Sequence, residues 1–204
     1  LFDYNTGILE KGPGYTDTFP HTGANFWKDW ERPVHFEYVD ENGVAQLEFN
    51  AGVKVFGQYS RAMDQKSLSI NLRDRYGPKE FCYPLFGQDA ATNVYSELVL
   101  RNAGQDGSHA HLRDAFVART IKGQADVDFM DYRPVVVYIN GEYYGLYDLR
   151  EKICESYVSN RTGADEDTID MIKGESILMS GSLTAYKELL QYVKTHDLSK
   201  QENY

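Results

Sequence analysis

Cysteine is nearly absent from this chain, with 2 in 204 residues. Cys82 and Cys154 are too few for a disulfide scaffold, and, far apart with no histidine beside them, they make no zinc knuckle. Positive charge is scarce as well. Lys plus Arg total 21 against 31 Asp plus Glu, a net charge of −10, which argues against attraction to phosphate backbones or anionic lipid, so no nucleic-acid partner is expected. No apolar run approaches the roughly 20 residues that span a bilayer, and the mean hydropathy is −0.54, so no membrane insertion is expected either. The first residues, Leu1-Phe2-Asp3, carry no basic-then-apolar leader. No G-x-S-x-G elbow, no Walker A motif and no twelve-residue calcium loop occurs.

What is plentiful is tyrosine, 16 residues, a composition that suits a surface handling polar partners. Residues 1–32 are broken by Gly7, Gly12, Gly14, Gly23, Pro13 and Pro20 but carry Phe19, Phe26, Trp27 and Trp30, so an extended lead-in anchored by aromatic burial is expected. Alternation over 33–39 and 44–49 around Asp40-Glu41-Asn42-Gly43 predicts a hairpin. Further strands are expected over 53–56, 66–72 and 97–100, and a helix over 111–121 with caps from Asp106 to Ser108. The run Pro134 to Ile139 reads as a strand covered on both faces. Asn140-Gly141 then predicts a type I′ turn into a strand over 142–149. Alternation places Tyr143, Gly145, Tyr147 and Leu149 on one face. Gly145 marks a bulge or a close approach to the backbone. A helix is expected over 150–159, a short strand over 168–172, and a final helix carrying Leu183, Tyr186, Leu190 and Val193 on one stripe.

Few clusters carry chemistry. His109 and His111 flank one alanine and would leave a helix on different sides, so no metal site is expected there. Asp165, Glu166, Asp167 and Asp170 read as a solvated face, and Asn160-Arg161-Thr162 fits a glycosylation sequon. Arg61 and Lys66 place two cations at the mouth of a strand in an otherwise acidic chain, a local anion site. Asp114 lies on the stripe of Val117, Ala118 and Ile121 and can face the sheet, where a buried lysine needs a carboxylate. A lysine strand, a helix with an inward acid and an antiparallel hairpin leading to Glu151 form the layout of a protein-kinase small lobe. A plain ion pair that stabilises the sheet fits the same residues.

The runs Gly57-Gln58-Tyr59-Ser60-Arg61 and Gln65-Lys66-Ser67-Leu68, then Leu100-Arg101-Asn102, Asp106 and Leu112-Arg113-Asp114, are followed by Val137 to Tyr147 with its Asn-Gly-Glu-Tyr hairpin and by Arg150-Glu151-Lys152-Ile153. Together they resemble the CotH (spore coat protein H) kinase-like family, in its bacterial extracellular form. The resemblance implies an atypical protein kinase that transfers phosphate from ATP, with Mg2+ or Mn2+, to serine or threonine of secreted or coat proteins, outside the cell or at its surface. It also implies nucleotide contacts from Lys66 and Arg61, with Asp114 or Glu151 orienting Lys66; which acid does so stays open, and Glu151 can instead shape the adenine pocket. Family members continue into Asn-x-Asp and Asp-x-Asp elements that supply the catalytic acid and metal ligands. Neither is recognisable here, so this stretch alone is expected to be inactive and its catalytic residues stay unassigned. The expected fold is α+β: an antiparallel sheet of about five strands with one packed helix. The expected organisation is a lead-in over 1–32, a kinase-like small lobe over 33–153 and the start of a helical lobe over 154–204. The rival expectation is a noncatalytic extracellular module that binds polysaccharide or protein on this scaffold.

Overall fold

The computed structural model describes residues 1–204 and is α+β. Its strands are β1 (Glu31–Val39), β2 (Ala45–Val55), β3 (Leu68–Asn71), β4 (Phe81–Cys82), β5 (Val94–Tyr95), β6 (Glu97–Arg101), β7 (Tyr132–Ile139), β8 (Glu142–Glu151), β9 (Met171–Lys173) and β10 (Ile177–Ser180). Its helices are α1 (Arg113–Ile121), α2 (Glu155–Thr162) and α3 (Thr184–Thr195). The chain divides into two compact units, Leu1–Lys152 and Ile153–Tyr204.

The first unit is built on a curled antiparallel sheet of six strands in the order β1-β2-β3-β6-β8-β7. One face carries Val53, Val55, Leu68, Ile70, Leu98, Leu100, Tyr147 and Leu149, all buried, and they pack in one cluster with Ile8, Leu9 and Phe26 of the lead-in. The rings of Phe36, Phe49, Phe81 and Tyr95 continue this cluster in successive contacts of 4.9, 5.1 and 5.5 Å. The little hairpin of β4 and β5 is thereby tied to the sheet by aromatic contact, which contributes beyond area burial alone.

Several local expectations hold. Asn140 and Gly141 have φ of 53° and 82°, as a type I′ turn requires. Asp106 Oδ2 accepts the backbone N–H groups of Leu112 and Arg113 at 3.0 and 3.1 Å, so it satisfies the open end of α1. Those N–H groups hold its carboxyl below the usual carboxylate range.

Other elements differ from the sequence reading. The strands expected over 44–49 and 53–56 are one, β2, because β1 pairs along nearly its whole length. Arg150 and Glu151 are strand, not helix: Leu98 and Val99 of β6 stand opposite them, and α2 starts only at Glu155. Far from being covered on both faces, β7 is an edge strand with Val136 and Tyr138 more than half exposed. Its Pro134, which has no N–H to donate, suits such an edge. Val137 pairs with Gly145 and Tyr138 with Tyr143, so Tyr144 is an extra residue on β8. This bulge flips the phase, leaving Tyr143 exposed while Tyr147 is fully buried. Gly145 adjoins this bulge and shows the expected close approach, since a Cβ there would lie 2.8 Å from Gln65 Nε2.

The second unit contains α2, α3 and the small antiparallel hairpin of β9 and β10; β10 had no counterpart in the sequence reading. No helix of the protein is long and apolar enough to cross a membrane.

Candidate functional site

Alternate residues of a strand share a face. Arg101 on β6 stands opposite Asp148 on β8, and Val99 opposite Arg150, so Arg101, Asp148 and Arg150 point to the face opposite the apolar core. Helix α1 packs with Ala115 and Ala118 buried, small side chains that allow a close approach; of the expected stripe Ala118 is buried and Ile121 half-buried, and Val117 alone departs from it. Val117 is 57% exposed.

Asp114, in the first turn of α1, meets both arginines. Its Oδ2 pairs with Arg101 Nε and lies 3.6 Å from Arg150 Nη1. Arg101 and Asp114 are partly open to solvent, whereas the Arg150 side chain is 5% exposed. Arg150 Nη2 also donates to the Met130 carbonyl at 3.4 Å, and its guanidinium lies 6.0 Å from the Tyr132 ring centre. Asp148 is buried beside them. Burial pushes its carboxyl above the usual range, with the charges of Arg150, His111 and Arg101 opposing and that of Asp114 adding. Burial also weakens the hold of Arg150 on its proton, and Asp114 opposes that effect. His111, just before α1, has a left-handed backbone, φ 58°, uncommon without glycine.

Three buried polar atoms have no partner in the whole structure: His111 Nε2, Asp148 Oδ2 and Arg150 Nε. All three belong to this cluster. Buried polar atoms are nearly always satisfied, and the three left over here are a donor, Arg150 Nε, an acceptor, Asp148 Oδ2, and a ring nitrogen able to be either, His111 Nε2.

The residues singled out from the sequence are distributed differently. Lys66 is buried, and its Nζ donates to the Met63 carbonyl at 2.7 Å and lies 4.3 Å from the Phe26 ring centre. It makes no ion pair with Asp114, whose partners are Arg101 and Arg150. Burial lowers Lys66 to about 8. Arg61 Nε donates to the Gly57 carbonyl at 2.7 Å and its Nη1 to that of Phe26 at 3.3 Å, tying the lead-in to the loop before β3. Glu151 Oε2 accepts the Asp131 N–H at 2.8 Å, where the pairing of β7 with β8 ends. Lys66, Arg61 and Glu151 are therefore not brought together with Asp114 in one cluster.

The run Gln65-Lys66-Ser67 is instead a knot between strands. Gln65 Nε2 donates to the Leu146 carbonyl at 2.6 Å, and the Tyr147 hydroxyl to that of Lys66 at 2.8 Å. Ser67 Oγ donates to Asn102 Oδ1 at 2.7 Å, and the same Oδ1 accepts the Gly104 N–H at 2.9 Å. Asn102 thus fixes the chain directly after Arg101. A signal for this cluster is present in the sequence: Arg101 closes the strand next before α1, and Asp148 and Arg150 alternate with Tyr147 and Leu149 along β8.

Beyond α1, a cavity of about 270 Å³ is lined by Phe86, Asp89, Lys122, Phe129 and Asp131 among others. Lys122 bridges Asp89 at 3.2 Å and Asp131 at 2.8 Å, so its charge is already matched. No three His, Cys, Asp or Glu side chains come together to hold a metal ion.

The family model described as CotH kinase protein matches residues 53–204. The chain belongs to this family. Among curated proteins no match is found. The stretch shared with the CotH kinase family contains every residue of the cluster beneath α1, together with the Gln65-Lys66-Ser67 knot and the Asn140-Gly141 turn.

Proposed function

We propose that the face beneath α1 binds the phosphates of a nucleotide through Arg101 and Arg150, with Asp114 orienting both guanidiniums. The observation that carries this reading is the ion pair between a cation on β6 and an acid on α1, with β8 lying between β6 and β7. In protein kinases a strand lysine bound to a helix acid reaches the nucleotide phosphates, and only the paired arrangement is competent. An arginine can serve the same purpose, since its planar fork of donors suits phosphate oxygens. Arg101 is partly exposed at its pair with Asp114, whereas Lys66 is buried on Met63 and Phe26.

In this reading the chain supplies the phosphate-binding part of a CotH-like kinase that transfers phosphate from ATP to serine or threonine of a secreted or coat protein, outside the cell or at its surface, while the catalytic acid stays unassigned among its residues. The Mg2+ or Mn2+ implied by the family finds no set of ligands among these residues. The part of this chain is to bind and orient phosphate by preorganised charge.

Calorimetric titration of ATP into the wild type and Arg101→Met tests the reading, with Lys66→Met alongside. Affinity is expected to fall at least about tenfold for Arg101→Met, the scale of one lost charge-assisted contact, and to hold in Lys66→Met. Unchanged affinity in Arg101→Met with loss in Lys66→Met would return the phosphate contact to Lys66. No ATP binding by the wild type would favour a noncatalytic module, for which the exposed Tyr138 and Tyr143 ring pair at 6.0 Å offers a contact surface.

A further inference from the structure

The cluster beneath α1 is balanced before anything binds. Arg101 and Arg150 supply two positive charges, Asp114 and Asp148 two carboxylates, and three of its buried polar atoms are unpaired. A phosphate brought against the arginines adds negative charge to a face where Arg150 and Asp148 are already out of water. Asp148 stands opposite Arg101 and two residues from Arg150 on the same face, so an ionised Asp148 would repel the incoming anion. Uncompensated, that charge is costly in a site of low dielectric.

We propose that phosphate binds here together with a proton, taken from solvent by Asp148 and His111, so that the site is a proton-coupled anion site. The inference rests on the phosphate reading above and adds how binding there is controlled. Geometry supports it, since the unpaired atoms include Asp148 Oδ2 and His111 Nε2, the two positions where a proton would make a new donor, and Arg150 Nε, which is a donor already.

The groups facing Asp148 are Arg101 from β6, His111 from the loop before α1, Asp114 from α1 and Arg150 from β8 itself; Tyr132 of β7 faces Arg150. Among them the arginines stay charged, and Asp114 is engaged by both. Asp148, whose carboxyl is pushed up by burial, and the His111 imidazole, whose Nε2 is unpaired, are the groups left to respond. A bound anion stabilises the protonated form of both.

The test is titration of inorganic pyrophosphate into the protein across pH 6 to 9, in buffers of different ionisation heat, with wild type, Asp148→Asn, His111→Gln and the double variant. Protonation of pyrophosphate itself is common to all four and cancels in the differences. Wild type is expected to take up close to one proton more than the double variant, and its affinity to fall by up to about tenfold per pH unit across the coupled range. Asp148→Asn, with one negative charge removed, is expected to bind more tightly than wild type at the alkaline end. Binding with equal proton uptake in wild type and double variant would overturn the coupling and leave the phosphate reading intact. Absence of pyrophosphate binding in wild type would overturn both. Should Asp148→Asn fail to fold, His111→Gln decides: it is expected to lower proton uptake, and unchanged uptake would overturn the proposal that Asp148 and His111 share the proton.

Discussion

Arg101 at the end of β6 and Asp114 in the first turn of α1 are joined through Nε and Oδ2. The chain between them holds Asn102 on Ser67 and passes through left-handed residues at Ala103 and His111. The pair is therefore held from both sides, by the strand knot at Asn102 and by Asp106 at the start of α1. This restraint lets one carboxylate serve two arginines.

Replacing Asp114 by asparagine removes that carboxylate. The pair with Arg101 is partly exposed, where such contacts contribute under about 1 kcal/mol. The melting temperature is expected to fall moderately, because buried Arg150 loses one charge partner but keeps Asp148 beside it, while ATP affinity falls several-fold as both arginines lose their common anchor. A large drop in melting temperature with retained affinity would make the pair a stabilising contact only.

Asn102→Ala acts on the knot. It leaves Ser67 Oγ and the Gly104 N–H without their partner Oδ1, and buried groups left unpaired cost about 1–3 kcal/mol. Denaturant unfolding should show a loss in that range. Asn102→Asp, which keeps an acceptor at this place, should recover part of it.

Gly145→Ala meets two obstacles. The backbone has φ of 148°, and the new Cβ would press on the Gln65 side chain. A cost of about 1–3 kcal/mol is expected. Adding Gln65→Ala removes the clash but not the backbone strain, so melts of the double variant should show partial rescue. Full rescue would mean that the steric contact alone requires glycine.

Gly141→Val isolates backbone strain, because nothing lies within 4 Å of a Cβ at that position. With φ of 82° at the second residue of a type I′ turn, the loss should be about 1 kcal/mol or more. An unchanged melting temperature would argue against pairing of β7 with β8 through this turn.

Lys66 makes a prediction in pH. Its value in the folded protein is about 8, below the ordinary 10.5, because of burial. Between those values the unfolded chain holds more protons, so this residue makes stability rise as pH increases from about 8 toward 10.5. Lys66→Met should flatten that rise in a comparison of pH-dependent melts. An identical pH profile would show that the ammonium is not desolvated.

Local chemistry carried much of this fold in the order of residues alone. Asn140-Gly141 specifies its turn because both residues accept positive φ. Asp106 secures α1 across six or seven residues, and the family motifs lie where the matching model begins to cover the chain, from residue 53 onward. Periodicity also shows that Asp148 and Arg150 share a face of their strand. It does not say which strand lies beside them. That was decided by nonlocal pairing, in which β6 lies between β3 and β8 and brings Arg101 to Asp114 while Lys66, at the edge of the same motif, turns to Met63 and Phe26. The bulge at Tyr144 and the exposed outer face of β7 have the same origin. Alternation fixes the two faces of a strand, but only the neighbours assembled around it determine which face is covered and which charges meet.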